Sequence, residues 1–165
     1  MIVNRLFRAL RYFTLLFLQK TNNIINNVYF KSYVSAKGDV TIIGRFHIYV
    51  AKSASMEVGN NFKLVSTHLI NPLCSRPSSI SVGDGAIVSI GDNVGMSSPT
   101  VWIRKSLIIG NNVNFGGGTI VLDSDAHSLN YLDRRNGVKD MANRVDKGIN
   151  IDDDVLIGMN TIILK

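Results

Sequence analysis

The chain is predicted to be an all-β solenoid, a triangular parallel β-helix, on three observations. A five-residue phrase recurs: "VGNNF" at Val58, "IGDNV" at Ile90, "IGNNV" at Ile109 and "IDDDV" at Ile151, with a looser "VGDGA" at Val82. Apolar residues return every six positions within the copies, as Ile90, Met96 and Trp102, then Ile109, Phe115 and Val121, then Ile151, Ile157 and Ile163. The Gly, Asn and Asp after each leading apolar residue are the types that tolerate positive φ in tight turns. No helix holds a six-residue period over several copies, whereas a prism with about six residues per face returns every sixth side chain to one inward corner, about eighteen residues per coil.

Residues 1–34 come first, as an amphipathic helical segment. In "MIVNRLFRALRYFTLLFLQK" the basic Arg5, Arg8, Arg11 and Lys20 flank Leu6, Phe7, Leu10, Phe13 and Phe17. The apolar run 12–18 is too short to span a bilayer, and the following "QKTNNIINN" offers no small-residue cleavage site, which argues against a secretory leader. Two readings stand side by side: residues 1–20 lie on an anionic membrane surface, or they cap the fold or pack on a sister subunit.

Residues 35–165 form the solenoid domain. The phrases at Ile90 and Ile109 start nineteen apart, but Ile109 and Ile151 start forty-two apart, so the surplus must leave the prism as an extruded loop over 123–148. That loop, "DSDAHSLNYLDRRNGVKDMANRVDKG", carries turn formers and charges and no six-residue period. His127 stands where it begins.

Composition narrows the function classes. A 165-residue chain with 45% hydrophobic and 18% charged residues is one globular domain. Cys74 is the only cysteine, which excludes an intrachain disulfide and a cysteine-based zinc site and makes a reducing cytoplasm the simplest compartment. The net charge of +6 suits a phosphate-bearing ligand, an anionic membrane or nucleic acid, and net charge alone does not choose among them. No nucleic-acid partner is expected.

The order of repeat, "FGGGTIVLDSDAHSL", charged loop, then "INIDDDVLIGMNTIILK" resembles the hexapeptide-repeat acyltransferases of the left-handed β-helix class. Within them it is most similar to sugar O-acetyltransferases related to maltose and galactoside acetyltransferases, over roughly residues 40–165. The resemblance implies a left-handed coil, a homotrimer, acetyl-CoA as acyl donor with no metal, and a saccharide acceptor in capsule, exopolysaccharide or lipid-linked saccharide synthesis. It implies His127 as catalytic base and coenzyme A along the coil after it, at Gly158, Met159 and Asn160. Ser97 and Ser98, in "GMSSPTV", stand near the place of the family's acceptor-binding asparagine. The family continues through a further coil where this sequence ends at "IILK", so the coenzyme site is expected to be incomplete. The cytoplasm is the expected location, at the inner face of the membrane if residues 1–20 attach there.

The residues themselves carry a compatible chemistry. A sugar hydroxyl is a poor nucleophile at neutral pH and needs a base, and imidazole, with an ordinary pKa near neutrality, suits that task when its second nitrogen is held by a carbonyl or carboxylate. Asp125, two residues before His127, would share its side on an extended segment and could orient the ring or bind the sugar, or merely close the turn. Gly116, Gly117 and Gly118 are read chiefly as close coil packing, with oxyanion donation as the alternative. Trp102 is expected in the core, His47 and His68 as ordinary side chains, and Arg134 and Arg135 as solvated or meeting an anionic ligand. Asp123, Asp125 and His127 form an alternative oxygen-preferring metal set; a histidine zinc site as in solenoid carbonic anhydrases is opposed by the wide spacing of the three histidines. An amino-sugar N-acetyltransferase and a non-catalytic structural trimer are the other functional readings.

Overall fold

A computed structural model describes residues 2–165, apart from the side chains of Ile2, Val3, Asn4, Leu6, Ala9, Leu15, Leu16, Leu18 and Gln19, so the expectation for Leu6 lies outside the described residues. After helix α1 (Ile2–Lys31) the chain winds through five coils of three strands each. The first two coils are β1 (Ser35–Ala36), β2 (Val40–Gly44) and β3 (Phe46–Val50), then β4 (Ser55–Val58), β5 (Phe62–Ser66) and β6 (Ser78–Val82). The third and fourth are β7 (Ile87–Ile90), β8 (Gly95–Ser97) and β9 (Thr100–Ile103), then β10 (Ser106–Ile109), β11 (Asn114–Phe115) and β12 (Ile120–Leu122). The fifth is β13 (Ile149–Ile151), β14 (Leu156–Ile157) and β15 (Ile162–Leu164). Every third strand stacks on its predecessor, giving three five-stranded sheets, β1-β4-β7-β10-β13, β2-β5-β8-β11-β14 and β3-β6-β9-β12-β15, parallel throughout. This is a parallel β-solenoid.

Register explains the core. Val88 pairs with Leu107, and Leu107 with Ile149, while Ile90 pairs with Ile109, and Ile109 with Ile151, so like-sized apolar side chains stack into columns inside the prism. Each buried Val, Leu or Ile is worth about 1.5–3 kcal/mol relative to exposure. Trp102 corrects the sequence reading. Met96 pairs with Phe115, but it is Val101, not Trp102, that pairs with Val121, because the β8–β9 corner is one residue shorter than the six-residue step. Trp102 therefore turns outward, 39% exposed, with the Arg104 guanidinium 5.9 Å from its ring centre.

The corner between the first and second sheets is built from the recurring phrase. Asn61, Asn93, Asn112 and Asp154 all sit at φ between 55° and 61°. Their side chains form a ladder from coil to coil, Asn61 Nδ2 to Asn93, Asn93 Nδ2 to Asn112 and Asn112 Nδ2 to Asp154, at 3.0, 3.1 and 3.0 Å. A parallel column of Asp92, Asn111 and Asp153 accepts the N–H groups of Asn60, Asp92 and Asn111. Asn and Asp tolerate the left-handed region because their short polar side chains bond locally. Gly91 cannot be replaced freely, since a Cβ there would lie 2.6 Å from the Gly110 carbonyl oxygen.

The last turns of α1 close the N-terminal end of the prism. Phe30 is fully buried and stacks on Phe62, ring centres 5.5 Å apart. The edge strand β2 would present unpaired backbone there. Asn27 Oδ1 accepts the Ile42 N–H at 3.0 Å, and Asn26 Nδ2 donates to the Gly44 carbonyl at 3.0 Å. Farther toward its N-terminus, Arg5, Phe7, Leu10, Arg11, Phe13 and Phe17 are exposed. No helix among the described residues is long and apolar enough to cross a membrane.

Two excursions leave the prism. The larger covers 123–148, between β12 and β13. The smaller covers 67–77, between β5 and β6, and the sequence reading did not anticipate it. It folds toward later coils: Asn71 Nδ2 donates to Ser97 Oγ at 3.0 Å, and Leu73 lies so close to Gly117 that a Cβ on that glycine would be 2.8 Å from it.

Candidate active site

The loop that carries His127 is tied off at its neck. Ser124 and Asp146 form an antiparallel bridge, the Asp125 N–H donates to the Val145 carbonyl at 3.1 Å, and the Lys147 N–H to the Asp123 carbonyl at 2.8 Å. Asp123 itself is fully buried. Its carboxylate accepts the N–H groups of Arg104, Lys105 and Ser106 at 2.7, 2.7 and 2.9 Å, which fastens the loop's first residue to the preceding coil's turn.

Beyond the neck the chain turns sharply. Ala126 has φ 62°, and its N–H donates to Ser124 Oγ at 3.0 Å. The extended geometry that would have kept Asp125 and His127 on one side is broken there. Asp125 instead pairs with Lys165, Oδ2 to Nζ 3.1 Å. The orienting role considered for it belongs to another residue.

That residue is Asp140. Asn136 caps the short helix α2 (Gly137–Asn143) by accepting the Val138 and Lys139 N–H groups at 3.1 Å each, and this fixes Asp140 in the first turn. Asp140 is 7% exposed. One carboxylate oxygen lies 2.6 Å from His127 Nδ1, and the other accepts the Ser128 N–H at 2.7 Å. The hydrogen bond from His127 holds the Asp140 carboxyl below the usual carboxylate range, helped by the Ser128 N–H and the His127 and Arg134 charges and opposed by burial. An ionised carboxylate can only accept, so in a neutral ring it favours the tautomer with the proton on Nδ1 and the lone pair on Nε2.

An outer tier holds this pair. Ser128 Oγ donates to Asp133 Oδ2 at 3.0 Å, Asn143 Nδ2 donates to the same oxygen at 2.9 Å, and Arg134 donates to the Ser128 and Leu129 carbonyls at 2.7 and 3.0 Å. Arg134 is thus part of the scaffold. The imidazole is 67% exposed, and Nε2 makes no hydrogen bond among the described residues. The same loop also exposes apolar side chains, among them Leu129, Tyr131 and Val138.

The other sequence candidates gather at a different corner, between the second and third sheets. The Gly118 N–H donates to the Ser97 carbonyl at 3.1 Å and the Asn160 N–H to the Gly117 carbonyl at 2.9 Å, so Ser97, Gly117 and Asn160 form one column over three coils. Gly158, Met159 and Asn160 are exposed. Ser97 borders a cavity of about 180 Å³ with Lys63 and Asn114. Ser98 is fully buried with φ 43° and its hydroxyl unpartnered, so it offers no surface to a substrate in this chain, a correction to the pairing of Ser97 with Ser98. This corner precedes β12 and β15, whereas the loop that carries His127 leaves from the other end of β12.

The three glycines serve close packing. A Cβ on Gly116 would lie 2.4 Å from the Met159 nitrogen, Gly118 sits at φ 76°, and the Gly116 and Gly118 N–H groups are spent on Ile157 and Ser97 carbonyls. Asp123, Asp125 and His127 do not converge, each being turned to a different partner. No group of three or more His, Cys, Asp or Glu side chains suited to a metal occurs among the described residues. Comparison of the chain with protein-family models, with curated proteins and with solved structures gives no match.

Proposed function

We propose that the chain is an acetyltransferase that moves the acetyl group of acetyl-CoA to a saccharide hydroxyl, with His127 as general base. The observation that carries this reading is the His127–Asp140 pair, a ring fixed by a buried carboxylate on Nδ1 with Nε2 free and exposed at the mouth of an extruded loop. In the reaction Nε2 takes the hydroxyl proton as the sugar oxygen bonds to the thioester carbonyl carbon. The tetrahedral intermediate then collapses, the carbon–sulfur bond breaks, and the imidazolium returns its proton to the departing thiolate. Asp140 stabilises the imidazolium between the two transfers.

The family resemblance supports the choice of acyl donor, a left-handed coil and a homotrimer. The exposed ring and the apolar side chains that the loop exposes support a site completed by a neighbouring copy, which would bring a surface such as the Ser97–Asn160 corner toward His127. The first 38 residues hold six Lys or Arg and no Asp or Glu, leaving twelve charges of each sign in the remainder, so the whole excess positive charge belongs to α1 and the coil beside it. That asymmetry supports peripheral attachment to an anionic membrane on the cytoplasmic side and a capsule, exopolysaccharide or lipid-linked saccharide acceptor.

A panel of saccharides tested for acceptor-dependent thiol release from acetyl-CoA checks the reading. Release with at least one hydroxyl acceptor is expected. Absence of release with every acceptor would remove it, and release only with amino sugars would move the activity to N-acetylation.

A further inference from the structure

A cleft runs between the base of α1, the β2–β3 corner and the 67–77 excursion. One part, of about 370 Å³, is lined by Arg45, His68 and Arg76 with Asn22 of α1; the adjoining part, of about 290 Å³, shares Asn22 and Arg45 and adds His47 and Tyr29. No Asp or Glu lines either part. Among the described residues, neither the Arg45 nor the Arg76 guanidinium makes an ion pair or hydrogen bond.

The corner that presents Arg45 is rigid. Gly44 has φ 93°, and a Cβ there would lie 2.3 Å from the Ser66 carbonyl oxygen. Asn26 holds the Gly44 carbonyl, while Ser66 Oγ donates to the Arg45 carbonyl and accepts the Ser78 N–H at 2.7 Å. A locked backbone that presents an exposed, unpaired guanidinium suits a bound anion, because the point of attachment is fixed and the charge has no partner of its own.

We propose that this cleft binds a phosphate monoester. Two unpaired guanidinium groups and a neighbouring imidazole, with no carboxylate among them, match the charge of a dianionic terminal phosphate, and a terminal phosphate enters a cavity with one substituent where a diester brings two. Its source is a lipid headgroup. Asn22 lies within one turn of Lys20, an exposed basic residue on α1, so a helix lying on a bilayer through that stretch would hold the cleft at headgroup level. Only this choice of source rests on the membrane reading of α1; the phosphate site does not.

The test uses the full chain and vesicles of phosphatidylcholine carrying phosphatidate or, at matched surface charge, phosphatidylglycerol, with glycerol 3-phosphate as the soluble probe. The wild type is expected to prefer phosphatidate. Arg45→Gln with Arg76→Gln is expected to weaken phosphatidate binding by about tenfold and abolish the preference, while binding to phosphatidylglycerol through α1 persists. Arg76→Gln alone, in an exposed loop, gives a partial loss without touching the corner. Arg45-dependent binding of glycerol 3-phosphate without any phosphatidate preference would keep the phosphate site and replace the lipid by a soluble phosphate ester. Equal binding of both vesicles by the wild type with no binding of glycerol 3-phosphate, or a preference unchanged in the double variant, would overturn the proposal.

Discussion

Two polar regions of this molecule use the same side chains to different ends. At the corner between the first and second sheets, Asn and Asp side chains bond to equivalent positions one coil away, and the contacts repeat. In the 123–148 loop the same residue types converge from different elements, Asp133, Asp140 and Asn143 around Ser128 and His127, and no contact repeats. Repetition builds a scaffold. A single convergent cluster ends on an exposed imidazole, the group proposed here as the base.

Substitutions in the two regions should therefore separate activity from stability. His127→Ala is expected to fold normally and to lose about a hundredfold to ten-thousandfold in turnover, the usual worth of a positioned base. Steady-state thiol release measures it, and turnover within a fewfold of wild type would break the contrast. Asp140→Asn is expected to lose about tenfold to a thousandfold, less than His127→Ala, because the base remains but its tautomer is no longer enforced. A loss in kcat with little change in KM, together with an altered pH–rate profile, would distinguish orientation of the ring from general loosening of the loop.

Acid should act on the loop through the same carboxylate. Asp140 is lowered below its ordinary value in the folded chain, so its contribution is complete above the unfolded carboxylate pKa and is lost as pH falls through the lowered one. Protection of the Ser128 amide in hydrogen exchange is expected to hold down to about pH 4 and fall below it. The Asp140→Asn variant should lack that step. Asn112→Ala is the smallest effect: it places alanine at φ 58° and breaks two rungs of the ladder, costing about 1–2 kcal/mol, or a few degrees in melting temperature, with turnover unchanged. A large loss of turnover there would show that the ladder reaches the site.

The same contrast explains what could be read from the sequence. The turns that carry the ladder were legible because each coil repeats its turn chemistry at a fixed step, though the coil-to-coil bonding of their side chains was not, and His127 stood out because the repeat fails beside it. Trp102 was misplaced because one short corner moves the inward position to Val101, and a six-residue count does not register a missing residue. Asp140 was missed because its partner lies 13 residues away across an irregular loop. The available signal was Asn136, a good N-cap placed before a short helical stretch, which would have put Asp140 on a helix. The 67–77 excursion had a signal too, since the phrases at Val58 and Ile90 stand thirty-two apart where the next pair stands nineteen apart.

Nitrogen-15 NMR of the His127 imidazole tests the claim that Asp140 sets the ring for base catalysis, without needing the acceptor. At a pH where the ring is neutral, the expected spectrum has Nδ1 protonated and Nε2 unprotonated, with the Nδ1 proton shifted downfield by its carboxylate partner and that shift lost in Asp140→Asn. A ring with its proton on Nε2, or one averaging freely between tautomers in the wild type, would contradict the account.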